Sequence, residues 1–125
     1  MTDFTVTVTH DAARRRLGLL VTGAMDSPRF IDEEIAALKA CGSPWLFDRL
    51  IDLRGCEGHV RYEDIDRLAT YWNTIAYQAP RPVKVAVVTY NRLVTARLPL
   101  VDGLFTKHHM QAFDDMPPAM EWLDA

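Results

Sequence analysis

The heptapeptide VKVAVVT, residues 83–89, is built almost wholly of small and β-branched side chains. A half-exposed strand alternates apolar and polar residues, whereas a nearly continuous apolar run fits a strand covered on both faces. Such strands lie at the centre of parallel sheets. Parallel neighbours cannot be joined by a tight turn, so this run calls for other strands connected to it through helices.

The rest of the chain supplies them. FTVTVTH (4–10) has the period-two alternation of a half-buried strand, and RRLGLLVTG (15–23) reads as its antiparallel return across a short turn. SPRFIDEEIAALKACG (27–42) reads as a helix. Ser27 is its expected cap, Pro28 suits its first turn, Asp32, Glu33 and Glu34 favour its positive end, and Gly42 ends it before Pro44. Ile31, Ile35 and Leu38 form its apolar stripe. WLFDRLIDL (45–53), bounded by Pro44 and Gly55, is expected to be a buried strand.

RYEDIDRLATYWNTIAYQ (61–78) places Ile65, Leu68, Ala69, Trp72, Ile75 and Ala76 on one helical face and is stopped by APRP (79–82). NRLVTARLPLVDGLFTK (91–107) is helical in spacing, with Pro99 expected to kink or split it. HHMQAF (108–113) is a short final strand, and DDMPPAMEWLDA (114–125) a closing helix capped by Asp114 or Asp115. The order ββαβαβαβα implies an α/β fold, one domain over 1–125: a mixed five-stranded sheet with flanking helices and right-handed crossovers.

Composition narrows the function classes. At 125 residues with a formal charge of −3, the chain lacks the basic surface of a nucleic-acid binder. ARRR (13–16) is its one concentrated positive patch and reads as a solvated hairpin turn. The start MTDFTVTVTH has neither the cationic end nor the apolar core of a signal peptide, so a cytoplasmic location is expected. Nothing approaches the ~20 apolar residues of a membrane span.

In sheets of this type, ligands and switches sit beyond the carboxyl ends of the parallel strands. RGCEGH (54–59), between the expected strand 45–53 and helix 61–78, falls there. It makes Asp52, Arg54, Cys56 and His59 a candidate recognition rim, with Gly55 and Gly58 permitting unusual backbone angles. A Cys56–His59 nucleophile pair lacks a defined orienting acid. Asp52, Cys56 and His59, even with His108 or His109, lack zinc-type spacing. Glu57 in the middle of GCEG would repel a phosphate. No catalytic set, metal or cofactor is expected. Cys41 and Cys56 are separated by a strand spanning roughly 30 Å, beyond disulfide reach. Asp48 and Asp52 are expected to pair with Arg49 or Arg54. His108 and His109 read as a strand entry, and Tyr71, Trp72 and Tyr77 as core or interface aromatics.

Taken together, LIDLRG, VKVAVVT, Ala96-Arg97 and the closing MQAFDDMPPAMEWL, with Phe113, Ala119, Trp122 and Leu123, resemble the STAS-like family related to sporulation anti-sigma factor antagonists. The likeness spans essentially the whole chain. It implies a non-enzymatic regulatory or binding module. In the antagonist branch a serine or threonine opening the second helix is phosphorylated by a partner kinase, and the added charge controls docking. Here no serine or threonine occurs between Ser43 and Thr70, and Cys56 lies in the acceptor region. The resemblance therefore carries over neither the phosphoswitch nor nucleotide binding.

Two readings follow. One is a module docking on another protein through the loop 54–59 and the helices 61–78 and 91–107. The other is a carrier of, or an enzyme acting on, a small apolar or lipid-like ligand held near Trp72, Leu98, Pro99 and Phe105. A homodimer that covers a sheet edge or helix face is compatible with either.

Overall fold

The structure, a computed structural model, describes residues 3–125; the first two residues of the expected domain lie outside the described residues. A hairpin of β1 (Thr5–Asp11) and β2 (Arg16–Ala24) leads into α1 (Ser27–Ala40), β3 (Asp48–Glu57) and α2 (Tyr62–Ile75). Next come β4 (Val83–Val88), α3 (Arg92–Asp102), β5 (His108–Phe113) and α4 (Met116–Asp124). The five strands stand in sequence order; β1 is antiparallel to β2, and β2 through β5 are parallel.

β4 is covered on both faces, as its composition demands. Val83, Val85 and Val87 enter the large core with α1, α2 and α3, whereas Ala86 and Val88 pack with Ala119 and Leu123 of α4. Each such buried valine contributes on the order of 1.5–3 kcal/mol. Trp72 is fully sealed, and its indole N–H donates to the Thr106 carbonyl at 2.7 Å. No helix is long and apolar enough to cross a membrane among the described residues.

Five local expectations need correction. Asp26, not Ser27, caps α1, its carboxylate accepting from the Arg29 amide at 3.3 Å. Ser27 is buried inside the helix and works across to α2: its hydroxyl accepts from the Arg61 amide at 2.8 Å and donates to Asp64 at 2.7 Å. The first turn of α1 holds no acid; Glu34 instead lies on the buried face.

The third strand starts later and runs farther than 45–53. Pro44–Leu46 form a short helical turn, and β3 continues through Arg54, Gly55 and Cys56 to Glu57. Between Leu20↔Asp52 and Thr22↔Gly55 the pairing slips by one residue, a bulge that absorbs the extra length. Gly55 therefore serves a close strand crossing rather than a turn, since a Cβ there would lie 3.2 Å from Thr22 Cγ2. Of Gly55 and Gly58, it is Gly58, at φ 87°, that uses the left-handed region.

Pro99 does not split its helix. α3 runs from Arg92 through Pro99 to Asp102, and the chain leaves helical geometry before Lys107, whose φ is 47°.

Candidate functional site

The carboxyl ends of β3 and β4 form a braced rim. Asn91 caps α3 by accepting from the Leu93 amide at 3.0 Å, and its side-chain amide donates to the Gly58 carbonyl at 3.3 Å. Arg97 on α3 donates to the Val60 carbonyl at 3.3 Å. The β3–α2 loop is thereby tied to α3 at two points, while Ser27 and Asp64 hold its far end to α1. The Ser27 hydroxyl first, then Arg67 and Arg61, keep the Asp64 carboxyl below the usual carboxylate range.

The four expected rim residues do not converge. Asp52 and Arg54 form one unit on the sheet face that carries α4: the guanidinium donates through Nε at 3.0 Å and Nη2 at 2.9 Å to the two carboxylate oxygens. The Arg54 hydrogen bond holds the Asp52 carboxyl low, and Asp52, followed by Tyr90, holds the Arg54 pKa above its ordinary value. Asp48 does not join an arginine; its carboxylate accepts from the Lys84 amide at 2.9 Å.

Past the bulge, Cys56 turns to the opposite face and packs against the main core. Burial, and then Glu57, push its thiol pKa up, so it is held as the thiol and not activated as a nucleophile. Cys41 is likewise free and raised by burial. His59 is exposed and lines the mouth of a cavity on that same core face.

This cavity lies between α1, α2, α3 and the sheet and encloses about 80 Å³. His59, Val60, Arg97 and Met25 surround the rim end, and the walls are Ile31, Ile51, Ile65, Leu98 and Phe105, among others. Of the expected apolar set, Leu98 and Phe105 line it. Trp72 and Pro99 do not: Trp72 is sealed deeper in the core, and Pro99 points to solvent.

The opposite end of the cavity is charged. Arg49 Nη1 donates to Glu34 Oε2 at 2.7 Å, with the two side chains only 1% and 2% exposed. The guanidinium carbon sits 5.2 Å from the Trp72 ring centre. Beside it, His108 Nδ1 lies 2.9 Å from Asp102 Oδ1, and the imidazole stacks on Phe105 at 4.3 Å. Burial outweighs the Asp102 contact and lowers the His108 pKa to about 4, so the ring is neutral at physiological pH.

Reading the sequence for motifs missed Glu34, Arg49, Asp102 and His108 as a group. A signal was present in two of them. Glu34 falls three residues after Ile31 and four before Leu38, on the apolar stripe, and Arg49 alternates with Ile51 and Leu53 on the buried strand face. One unlike charge on each of two facing apolar surfaces is the pattern of a buried pair.

No family model and no curated protein matches the chain. Solved structures do. A protein of the DUF3478 family with a SpoIIAA-like fold from Shewanella loihica PV-4 superposes with a TM-score of 0.63 at 16% identity, over 98% of each chain. An anti-sigma factor antagonist from Mycobacterium paratuberculosis superposes with a TM-score of 0.59 at 16% identity, over 98% of this chain and 96% of that one. Likeness at this identity and coverage concerns architecture: the chain has the SpoIIAA-like, STAS-like fold that its sequence resembles.

Proposed function

We propose that the chain is a non-enzymatic regulatory module that docks on a protein partner through the rim at the carboxyl ends of β3 and β4. The observation that carries this reading is the exposure of large apolar side chains on a braced frame. Tyr90 is 67% exposed, Leu93 50% and Tyr62 52%, although each belongs to an ordered turn or helix start. Aromatic and arginine side chains on a rigid frame are the usual anchors of protein interfaces. Arg54, held in place by Asp52, supplies the charge beside Tyr90. The fold shared with an anti-sigma factor antagonist supports the same reading. A phosphoswitch has no place in it, since Ser and Thr are absent between Ser43 and Thr70.

A photo-crosslinking residue at Leu93 tests the surface in native cells, with the 76% exposed Tyr77 at the far end of α2 as control. A discrete adduct at Leu93 and none at Tyr77 is expected; identical adducts at both positions would refute the rim as the docking face.

The cavity favours a second reading, a carrier or sensor of a small apolar ligand. Its walls are aliphatic and aromatic, and its mouth opens beside His59 and Arg97 on the same rim.

A further inference from the structure

We propose that β1 is a homodimer interface: its free edge pairs antiparallel with β1 of a second copy, about a twofold axis through Val8. The inference does not depend on docking at the rim. β1 is the outer strand of the sheet and pairs only with β2 among the described residues. One row of its backbone N–H and C=O groups therefore has no strand partner. Edge strands of soluble proteins are commonly blunted by brevity, proline, lysine or a bulge. Thr5–Asp11 has none of these: it is seven residues long, carries neither proline nor lysine, and pairs with β2 in unbroken register. The apolar layer also runs out here half covered. Val8 stands opposite Leu19 on the core face, yet Val8 is 45% exposed and Leu19 only 1%.

The strand is complementary to itself. Opposite residues of an antiparallel pair share a face. With Val8 at the axis, the whole of β1 finds a partner: Val8 meets Val8 of the second copy, Val6 meets its His10, Thr7 its Thr9 and Thr5 its Asp11. Val6 and Val8 stand opposite Val21 and Leu19, so the valines meet on the core face and both copies keep α1, α2 and α3 on one side of a continuous sheet. Asp11, the one acid in the strand, comes opposite Thr5, whose hydroxyl can accept from Thr22 and donate to the carboxylate. An axis through Thr7 would instead set Asp11 against Asp3, like charges face to face. An axis at any residue other than Val8 also shortens the ladder. β2 lies between β1 and β3, so the rim at β3 and β4 stays free in the dimer.

The test follows the intact chain by sedimentation velocity from micromolar to millimolar concentration. A reversible monomer–dimer equilibrium in the micromolar range is expected, as suits a short interface. Val8→Lys and Val8→Glu each place two like charges at the axis, on a side chain exposed enough for the fold to tolerate them. Each should weaken self-association at least about tenfold. An equimolar mixture of the two should restore the dimer, because only the mixed pair opposes unlike charges. Hydrogen exchange on the wild type gives a readout that needs no variant: β1 amides should gain protection as concentration rises, and β5 amides should not. A wild type that stays monomeric at every concentration overturns the proposal. So does a dimer that Val8→Lys leaves intact, a dimer that the mixture fails to restore, or protection gained at β5 instead of β1.

Discussion

Arg49 and Glu34 form a 2.7 Å ion pair sealed between α1 and β3, with the guanidinium laid against Trp72. Removing one member strands the other charge in the core. Arg49→Ala or Glu34→Ala should each cost about 3–5 kcal/mol in urea unfolding, whereas the double change to methionine should be neutral or stabilising. A loss below about 1 kcal/mol for either single change would show that water reaches the pair.

His108 gives the fold a pH dependence with a definite sign. Its native pKa is lowered from 6.5 to about 4, so the unfolded chain binds the extra proton first. The stability tied to its neutral form is complete above pH 6.5 and is lost as pH falls towards 4. The contribution is about 3 kcal/mol. Chemical denaturation across that window should show the decline in the wild type and a flatter profile in His108→Phe. Carboxylates such as Asp52, held low by Arg54, act at lower pH.

Ser27 joins α1 to the start of α2, where Arg61 has no cap from its own helix. Ser27→Ala leaves the Arg61 amide without that acceptor and should cost about 1 kcal/mol in thermal or urea unfolding. Hydrogen exchange should quicken at the first turn of α2 and stay unchanged in α4.

Leu98 and Pro99 are neighbours with opposite roles. Leu98 is 7% exposed and walls the cavity, so Leu98→Ala should cost about 2–5 kcal/mol by enlarging it. Pro99 is exposed within an unbroken helix and lacks the N–H that would reach Thr95. Pro99→Ala should raise stability by about 1–3 kcal/mol, and a destabilised variant would show that the ring is needed for packing.

Strand–helix alternation was legible because apolar periodicity records which side of each element is covered. VKVAVVT marks the strand sandwiched between α2, α3 and α4, and Ile65, Leu68, Ala69 and Trp72 mark the buried face of α2. The end of β3 was not legible. A glycine that avoids Thr22 across a bulge looks, in sequence, like a glycine that makes a turn. That ambiguity grouped Asp52 and Arg54 with Cys56 and His59, although the bulge sends the pairs to opposite sheet faces. Leu98 could be placed from helical spacing, whereas Phe105 lines the cavity from the turn beyond the end of α3, and Pro99 drew attention for its ring rather than its orientation. The charged group needed three-dimensional pairing, since Glu34, Arg49, Asp102 and His108 come from four elements.

Docking at the rim is tested most directly by the affinity of the partner captured at Leu93. Titrating it with the wild type, with Arg54→Ala/Leu93→Ser and with Tyr77→Ser should show at least about tenfold weakening for the rim variant alone, with unchanged thermal unfolding. An unchanged Kd for Arg54→Ala/Leu93→Ser would contradict docking at this surface.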